Sequence, residues 1–298
     1  MRPMRVTVPA TSANLGPGFD AFGVAVDVAF TVTVHPREQR RVVPAGEGSG
    51  ELPTDDSNLL WRALCSCCAR FGADVPDVTL HTDNEIPLER GLGSSAAAAV
   101  AGAVLGRALG GRPDRQRPAT DQDIIDIAAA LEGHPDNAAP AVLGGLVVCC
   151  DGIARRLDPT DRLAPVLCVP ASRQSTEAAR GVLPDAIPLH DAAANGARAA
   201  VVLAGLAGAM AWDPRAMRDV LHEPPRLAVM GASGSLIHAL RRAGIGACLS
   251  GAGPSVLAVV ETGDGAAVET IREAAKGFAF AVRPSRWNRS GATVIHPV

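Results

Sequence analysis

Lysine is almost missing from this sequence: Lys276 is the only one in 298 residues. No Gly-x-x-x-x-Gly-Lys-Ser/Thr segment exists, so any handling of phosphates proceeds without a Walker-type lysine. Net charge is equally scarce. A formal value of −3 gives no reason to expect nucleic acid or an anionic membrane as partner. The longest uncharged apolar runs, Ala96 to Gly106 and Ala199 to Met210, are too short to span a bilayer and read as buried helices. Met1 to Ala13 carries Arg2 and Arg5 but lacks the apolar stretch of a secretory signal, so a cytoplasmic protein is expected. The seven cysteines are odd in number and irregularly clustered, which points to reduced thiols. Cys65, Cys67 and Cys68 lie in a helical pattern with no second Cys or His pair at zinc spacing, so they read as packing residues.

What is present describes a globular chain, with 47% hydrophobic and 20% charged residues. Strands are expected at Arg5–Pro9, Val24–Val34, Val78–Thr82, Leu146–Cys150 and Leu167–Pro170. Between the first two, Pro9 to Gly23 is too rich in Gly and Pro for a regular element, and Pro36 to Ser57 reads as hairpin or loop. Helices are expected over Asn58–Phe71, from the Gly-Ser loop to about Leu109, and from an N-cap at Asp121 to Glu132. After Asp151 the pattern restarts, with a helix beginning at Ser175–Gly181 and others over Asp191–Ala211, Leu236–Ala243 and Asp264–Gly277. Gly246 to Glu261 reads as strand, glycine loop, strand, and Ala279–Val282 and Thr293–His296 as edge strands. The segment "GGRPDRQRPATDQD" is a polar connection. This is an α+β chain, divided into residues 1–155 and 156–298.

The stretch "PLERGLGSSAAAAV", Pro87 to Val100, places small hydroxyl-bearing residues at the mouth of a strong helix former. A helix N-terminus offers unpartnered N–H groups and positive potential, and glycines let a ligand approach the backbone. The alternative is a plain serine N-cap. Two further glycine segments accompany it: "PATSANLGPGFD" near residue 10 and "LSGAGPSVLAVV" near residue 250. In this order and spacing the three resemble the signature motifs of the GHMP kinases. With "EGHPDN", Glu132 to Asn137, the first resembles the homoserine kinases in particular.

The resemblance implies an N-terminal domain like ribosomal protein S5 domain 2, a ferredoxin-like C-terminal domain, and ATP with Mg²⁺ as cofactors. It makes Gly91, Leu92, Gly93, Ser94 and Ser95 the phosphate loop, in an ATP-binding stretch that also includes Pro87, Leu88, Glu89, Arg90 and Ala96, with adenine contacts from the region of Asn58 to Leu60 and from Ile86 to Leu88. Ser95 and an acidic residue would hold magnesium. Glu132 is the expected ligand, and Asp126 is the alternative. An amino-acid acceptor needs complements to ammonium and carboxylate, and the resemblance assigns Asn14, Asp20, Thr176, Arg180 and Arg226. His134, Asp136 and Asn137 would line the reacting end, with Asp136 either a general base or a turn former. The lysine that partners this aspartate in mevalonate-type relatives is absent, and Ser12 sits near its place. Catalysis by positioning and charge neutralisation is therefore expected. The implied reaction is phosphorylation of L-homoserine for threonine synthesis, with a possible homodimer. Two rivals stay open: a mevalonate- or sugar-type kinase, and a nucleotide-binding module without chemistry.

Overall fold

The computed structural model describes residues 4–39, 41–110 and 119–295. The expected polar connection falls largely on 111–118, outside the described residues, as does His296 at the end of the last expected strand.

The chain opens with β1 (Arg5–Ala13), β2 (Phe22–Pro36), β3 (Val42–Gly46), α1 (Leu59–Arg70), β4 (Val78–Asn84) and α2 (Ser94–Leu109). It continues through α3 (Asp121–Glu132), α4 (Pro135–Leu143), β5 (Leu146–Cys150), β6 (Ile153–Leu157) and β7 (Leu163–Pro170). The remainder holds α5 (Thr176–Gly181), α6 (Leu189–Leu206), α7 (Glu223–Val229), α8 (Gly231–Arg242) and β8 (Gly246–Leu249). β9 (Val256–Glu261), α9 (Gly265–Lys276), β10 (Phe280–Pro284) and β11 (Thr293–Ile295) close it.

Among the described residues these strands form two sheets. One runs β11-β1-β2-β4-β3, with β5 paired to the start of β2 and β6 to β5. The other is β10-β7-β9-β8, antiparallel throughout. In the first, α2 and α4 pack on β1 and β2, while α1 and α3 pack on α2. In the second, α8 packs on β8 and β9 and α9 on β10. This is an α+β architecture, as expected.

Several boundaries depart from the sequence reading, each for a physical reason. The first strand runs through Pro9 to Ala13, because a register shift between Pro9 and Ala10 accommodates the missing N–H. Pro36 to Ser57 is not a hairpin: it contains β3, whose Pro44 is tolerated because the strand pairs with β4 alone, in parallel. Asp121 does not cap its helix. Thr120 does, in a capping box with Asp123. "PDNAAPAVL" forms α4 with Pro135 in the first turn, where no N–H bond is lost, and with Pro140 inside the helix, where one is.

The alanine run of α2 follows from its position. Ten of its residues, Ala96 to Gly106 apart from Ala98, are buried, so the helix is apolar on nearly all sides. Gly102 lets α1 approach so closely that a Cβ there would overlap the Leu60 carbonyl oxygen. No helix among the described residues is long and apolar enough to cross a membrane.

Candidate active site

A cleft of about 720 Å³ opens between the two sheets, and the three glycine segments meet on it. At its centre is the N-terminus of α2. Gly93 takes the N-cap position in the left-handed region, φ 69°, and no side chain caps the helix. Its leading N–H groups therefore face the cleft without an internal acceptor. The serine hydroxyls are engaged elsewhere: Ser94 Oγ accepts from Asn84 at 3.2 Å, and Ser95 Oγ donates to Glu132 Oε2 at 2.5 Å. The N-cap alternative for these serines thus falls away. Behind the loop stands the third segment, where the Ser250 hydroxyl donates to the Gly91 carbonyl at 2.6 Å and lies 2.8 Å from the Ser12 hydroxyl.

Glu132 ends α3 and its carboxyl is half-buried; burial raises its pKa, partly offset by the Ser95 hydroxyl. A hydroxyl and a carboxylate side by side at an uncapped helix N-terminus form a hard oxygen donor pair of the kind magnesium takes. Asp126, one turn and a half earlier, lies outside the cleft lining and pairs with Arg70 at 3.4 Å and Gln122 at 2.8 Å.

The "HPDN" residues start α4. Asp136 is 2% exposed and its Oδ1 accepts from His134 Nδ1 at 2.8 Å and from Asn137 Nδ2 at 3.4 Å. This bond raises the His134 pKa, against the opposing effect of burial. Asn137 Oδ1 in turn accepts from Thr11 at 2.8 Å, tying α4 to β1.

Further along the cleft, Arg180 grips Asp20 with both guanidinium nitrogens, at 2.8 and 3.2 Å. The pair presents one anion and one cation side by side, each a little over a third exposed. Arg226 lies beneath at 2% exposure, donating to the Ala179 and Gly251 carbonyls at 3.1 and 3.4 Å and to His222 Nδ1 at 3.0 Å. Burial, reinforced by Arg180, lowers its pKa. His222 is thereby fixed as the tautomer that donates from Nε2, to Gly16 O at 2.9 Å.

Of the residues the sequence proposed, all line this cleft except Ala96, which is buried in α2 behind the loop, Ile86, which is also buried, and Asp126, the alternative metal ligand. Besides Asn137, two have side-chain amides engaged within the chain. Asn58 caps α1 through Leu60 N and donates to Pro53 O; Asn14 joins Asp20 N to Gly251 O. Sequence reasoning missed Phe19 and Arg173. Both guanidiniums lie over the Phe19 ring, at 5.4 Å for Arg226 and 6.0 Å for Arg180, which offsets their mutual repulsion. The aromatic in "GPGFD" was the available signal. Arg173 reaches across to Glu51 with two 2.8 Å bonds, and nothing local distinguishes it from other surface arginines.

Comparison with known proteins places this geometry. Residues 58–145 match the family described as GHMP kinases N terminal domain, and residues 200–278 match GHMP kinases C terminal. The chain is 42% identical over 262 residues to a homoserine kinase of Deinococcus radiodurans, covering 86% of this chain and 84% of that one. It is 40% identical over 299 residues to one of Streptomyces coelicolor, covering 98% and 94%. The crystal structure of a homoserine kinase from Cytophaga hutchinsonii superposes with a TM-score of 0.86 at 27% identity, over 99% of this chain and 98% of the other. A mevalonate kinase structure shares the fold at a TM-score of 0.67 and 12% identity, over 96% and 99%. The chain with three glycine segments around one cleft therefore belongs to the GHMP kinase superfamily, and within it to the homoserine kinase family.

Proposed function

We propose that this chain transfers the γ-phosphoryl group of ATP to the side-chain hydroxyl of L-homoserine, forming O-phospho-L-homoserine for threonine synthesis. The observation that carries this reading is the Asp20–Arg180–Arg226 group, set on the same cleft as the uncapped α2 N-terminus. An α-amino acid carries one ammonium and one carboxylate, and this group offers a complement to each. A sugar or mevalonate carries no ammonium for Asp20.

In this reading the 87–96 loop and the α2 N-terminus bind the phosphates, and Asn58, Pro87 and Leu88 border the adenine with the apolar wall of Val42 and Leu52. Ser95 and Glu132 would hold Mg²⁺, which supplies neutralisation of phosphate charge. Asp20 takes the substrate ammonium, and Arg180 and Arg226 its carboxylate, with Asn14 and Thr176 beside them. The hydroxyl oxygen bonds to the γ-phosphorus as the bridge to the β-phosphate breaks, ADP leaves, and the hydroxyl proton passes by way of the transferred phosphoryl oxygens to solvent. Asp136 Oδ1 is already engaged within the chain, accepting from His134 and from Asn137. His134, Asp136 and Asn137 orient the hydroxyl, and rate comes from alignment and charge stabilisation around a loose transition state.

The division at residue 155 gives phosphate binding to the first part and most carboxylate recognition to the second. The proposed setting is the cytoplasm, with small-molecule partners and a homodimer, and without nucleic acid or membrane. The test is ADP release by purified protein with Mg-ATP and L-homoserine, L-serine, L-threonine, mevalonate or galactose. Turnover confined to homoserine is expected. Turnover on mevalonate or galactose instead would overturn the acceptor, and ATP binding without any turnover would favour the binding module.

A further inference from the structure

Away from the cleft, on the outer face of the first sheet, three metal-ligating side chains converge: His35 near the end of β2, Glu38 just beyond it, and His81 on β4. We propose that His35, Glu38 and His81 form a binding site for a zinc-class divalent cation.

The pairing register brings them together. β2 and β4 are antiparallel, with Thr33 opposite His81 and His35 opposite Thr79, so the two histidines are diagonal neighbours on one face. Their rings lie 4.1 Å apart between centroids at 39°. Glu38 Oε1 is 3.0 Å from His81 Nε2, and one ligand atom from each residue lies within 4.8 Å of the other two. Tetrahedral zinc, with bonds of about 2.0–2.2 Å to nitrogen and oxygen, holds its ligands roughly 3.3–3.5 Å apart. The cluster thus straddles the required spacing, and side-chain rotation closes the remainder. Glu38 is anchored for the purpose, since its backbone N–H donates to Thr79 Oγ1 at 2.8 Å. Two imidazoles and one carboxylate, with a fourth position open to water, is a donor set suited to Zn²⁺ and to neighbouring first-row ions.

The placement gives the ion a structural consequence. It would join the end of β2 to β4 beside β3, whose Val43 pairs with His81 and whose Val42 and Pro44 line the cleft. Occupancy stiffens the nucleotide-side wall from outside without touching the reacting groups.

The test uses the full chain, without a polyhistidine tag, titrated with Zn²⁺ by calorimetry and with Co²⁺ by absorption. One equivalent is expected to bind, with cobalt bands of a four-coordinate nitrogen–oxygen site and no sulfur charge-transfer band. His35→Ala and His81→Ala should each weaken binding at least about tenfold, and Zn²⁺ should raise the Tm of the parent protein but not of either variant. All three residues sit on the surface or half-exposed, so the variants keep the fold, checked by circular dichroism. No binding at 100-fold excess over protein, unchanged affinity in both variants, or a thiolate spectrum would overturn the assignment.

Discussion

At the scale of single residues, exposure separates what serves binding from what serves stability. Arg180 and Asp20 are over a third exposed, so their mutual pairing adds less than about 1 kcal/mol to folding. Arg180→Ala should therefore leave Tm nearly unchanged while lowering kcat/KM for homoserine about 100-fold, the worth of a charged hydrogen-bond pair. The KM for ATP should move little; steady-state kinetics in both substrates checks this. Arg226 also lines the cleft but carries stability as well. Buried and bonded to two carbonyls and His222, it should cost roughly 3 kcal/mol of stability when cut to Ala, and Lys should not rescue it, because the planar fork is what fits. Denaturant unfolding of both variants measures it. His134 gives a pH prediction. The Asp136 carboxylate stabilises the imidazolium, so the folded His134 should titrate above the ordinary value of 6.5, and Asp136→Asn should bring the NMR midpoint down. The stabilisation from that bond is fully present below the unfolded histidine's pKa and is lost as pH rises through the folded one.

At the scale of elements, two glycines set how closely helices and loops approach. A Cβ at Gly93 would overlap Thr11 Oγ1, at a φ of 69° that L-residues adopt at a cost of about 1–2 kcal/mol. Gly93→Ala should push the loop off β1 and raise the KM for ATP at least tenfold, with less effect on homoserine. In mid-helix α2, alanine for Gly102 would gain up to about 1 kcal/mol of helix propensity. The Leu60 carbonyl in its path is backbone and cannot rotate away, so overpacking of about 1–3 kcal/mol wins and thermal unfolding should come earlier. These elements differ in how far the sequence announced them. The glycine segments were legible because each needs small residues at fixed offsets, whatever packs around them. By contrast, α4 and α7 begin "PDN" and "EPP", where proline reads as a breaker although the first helical turn accepts it. β6, "IARRL", is mostly exposed and carries no alternating burial to betray it. β3 hides behind Pro44 in an edge position.

At the scale of the whole molecule, the cleft depends on contacts that join distant parts of the chain. Asp20 and Arg180 are 160 positions apart, and Asn14 meets Gly251 across 237. Motif order could suggest that these residues share a site; the salt bridge, the Phe19 ring over which both arginines lie, and the Arg173–Glu51 link across the cleft emerge only when the two sheets are set together. We propose that this assembled group reads both charges of an amino acid. The most direct measurement is kcat/KM for L-homoserine against 4-hydroxybutanoate, which lacks the ammonium, and 3-aminopropan-1-ol, which lacks the carboxylate. Both analogues keep the reacting hydroxyl, and each should fall about 100-fold or more below homoserine. Equal turnover of all three would contradict the claim, leaving a phosphate loop with an acceptor pocket that does not recognise amino acids.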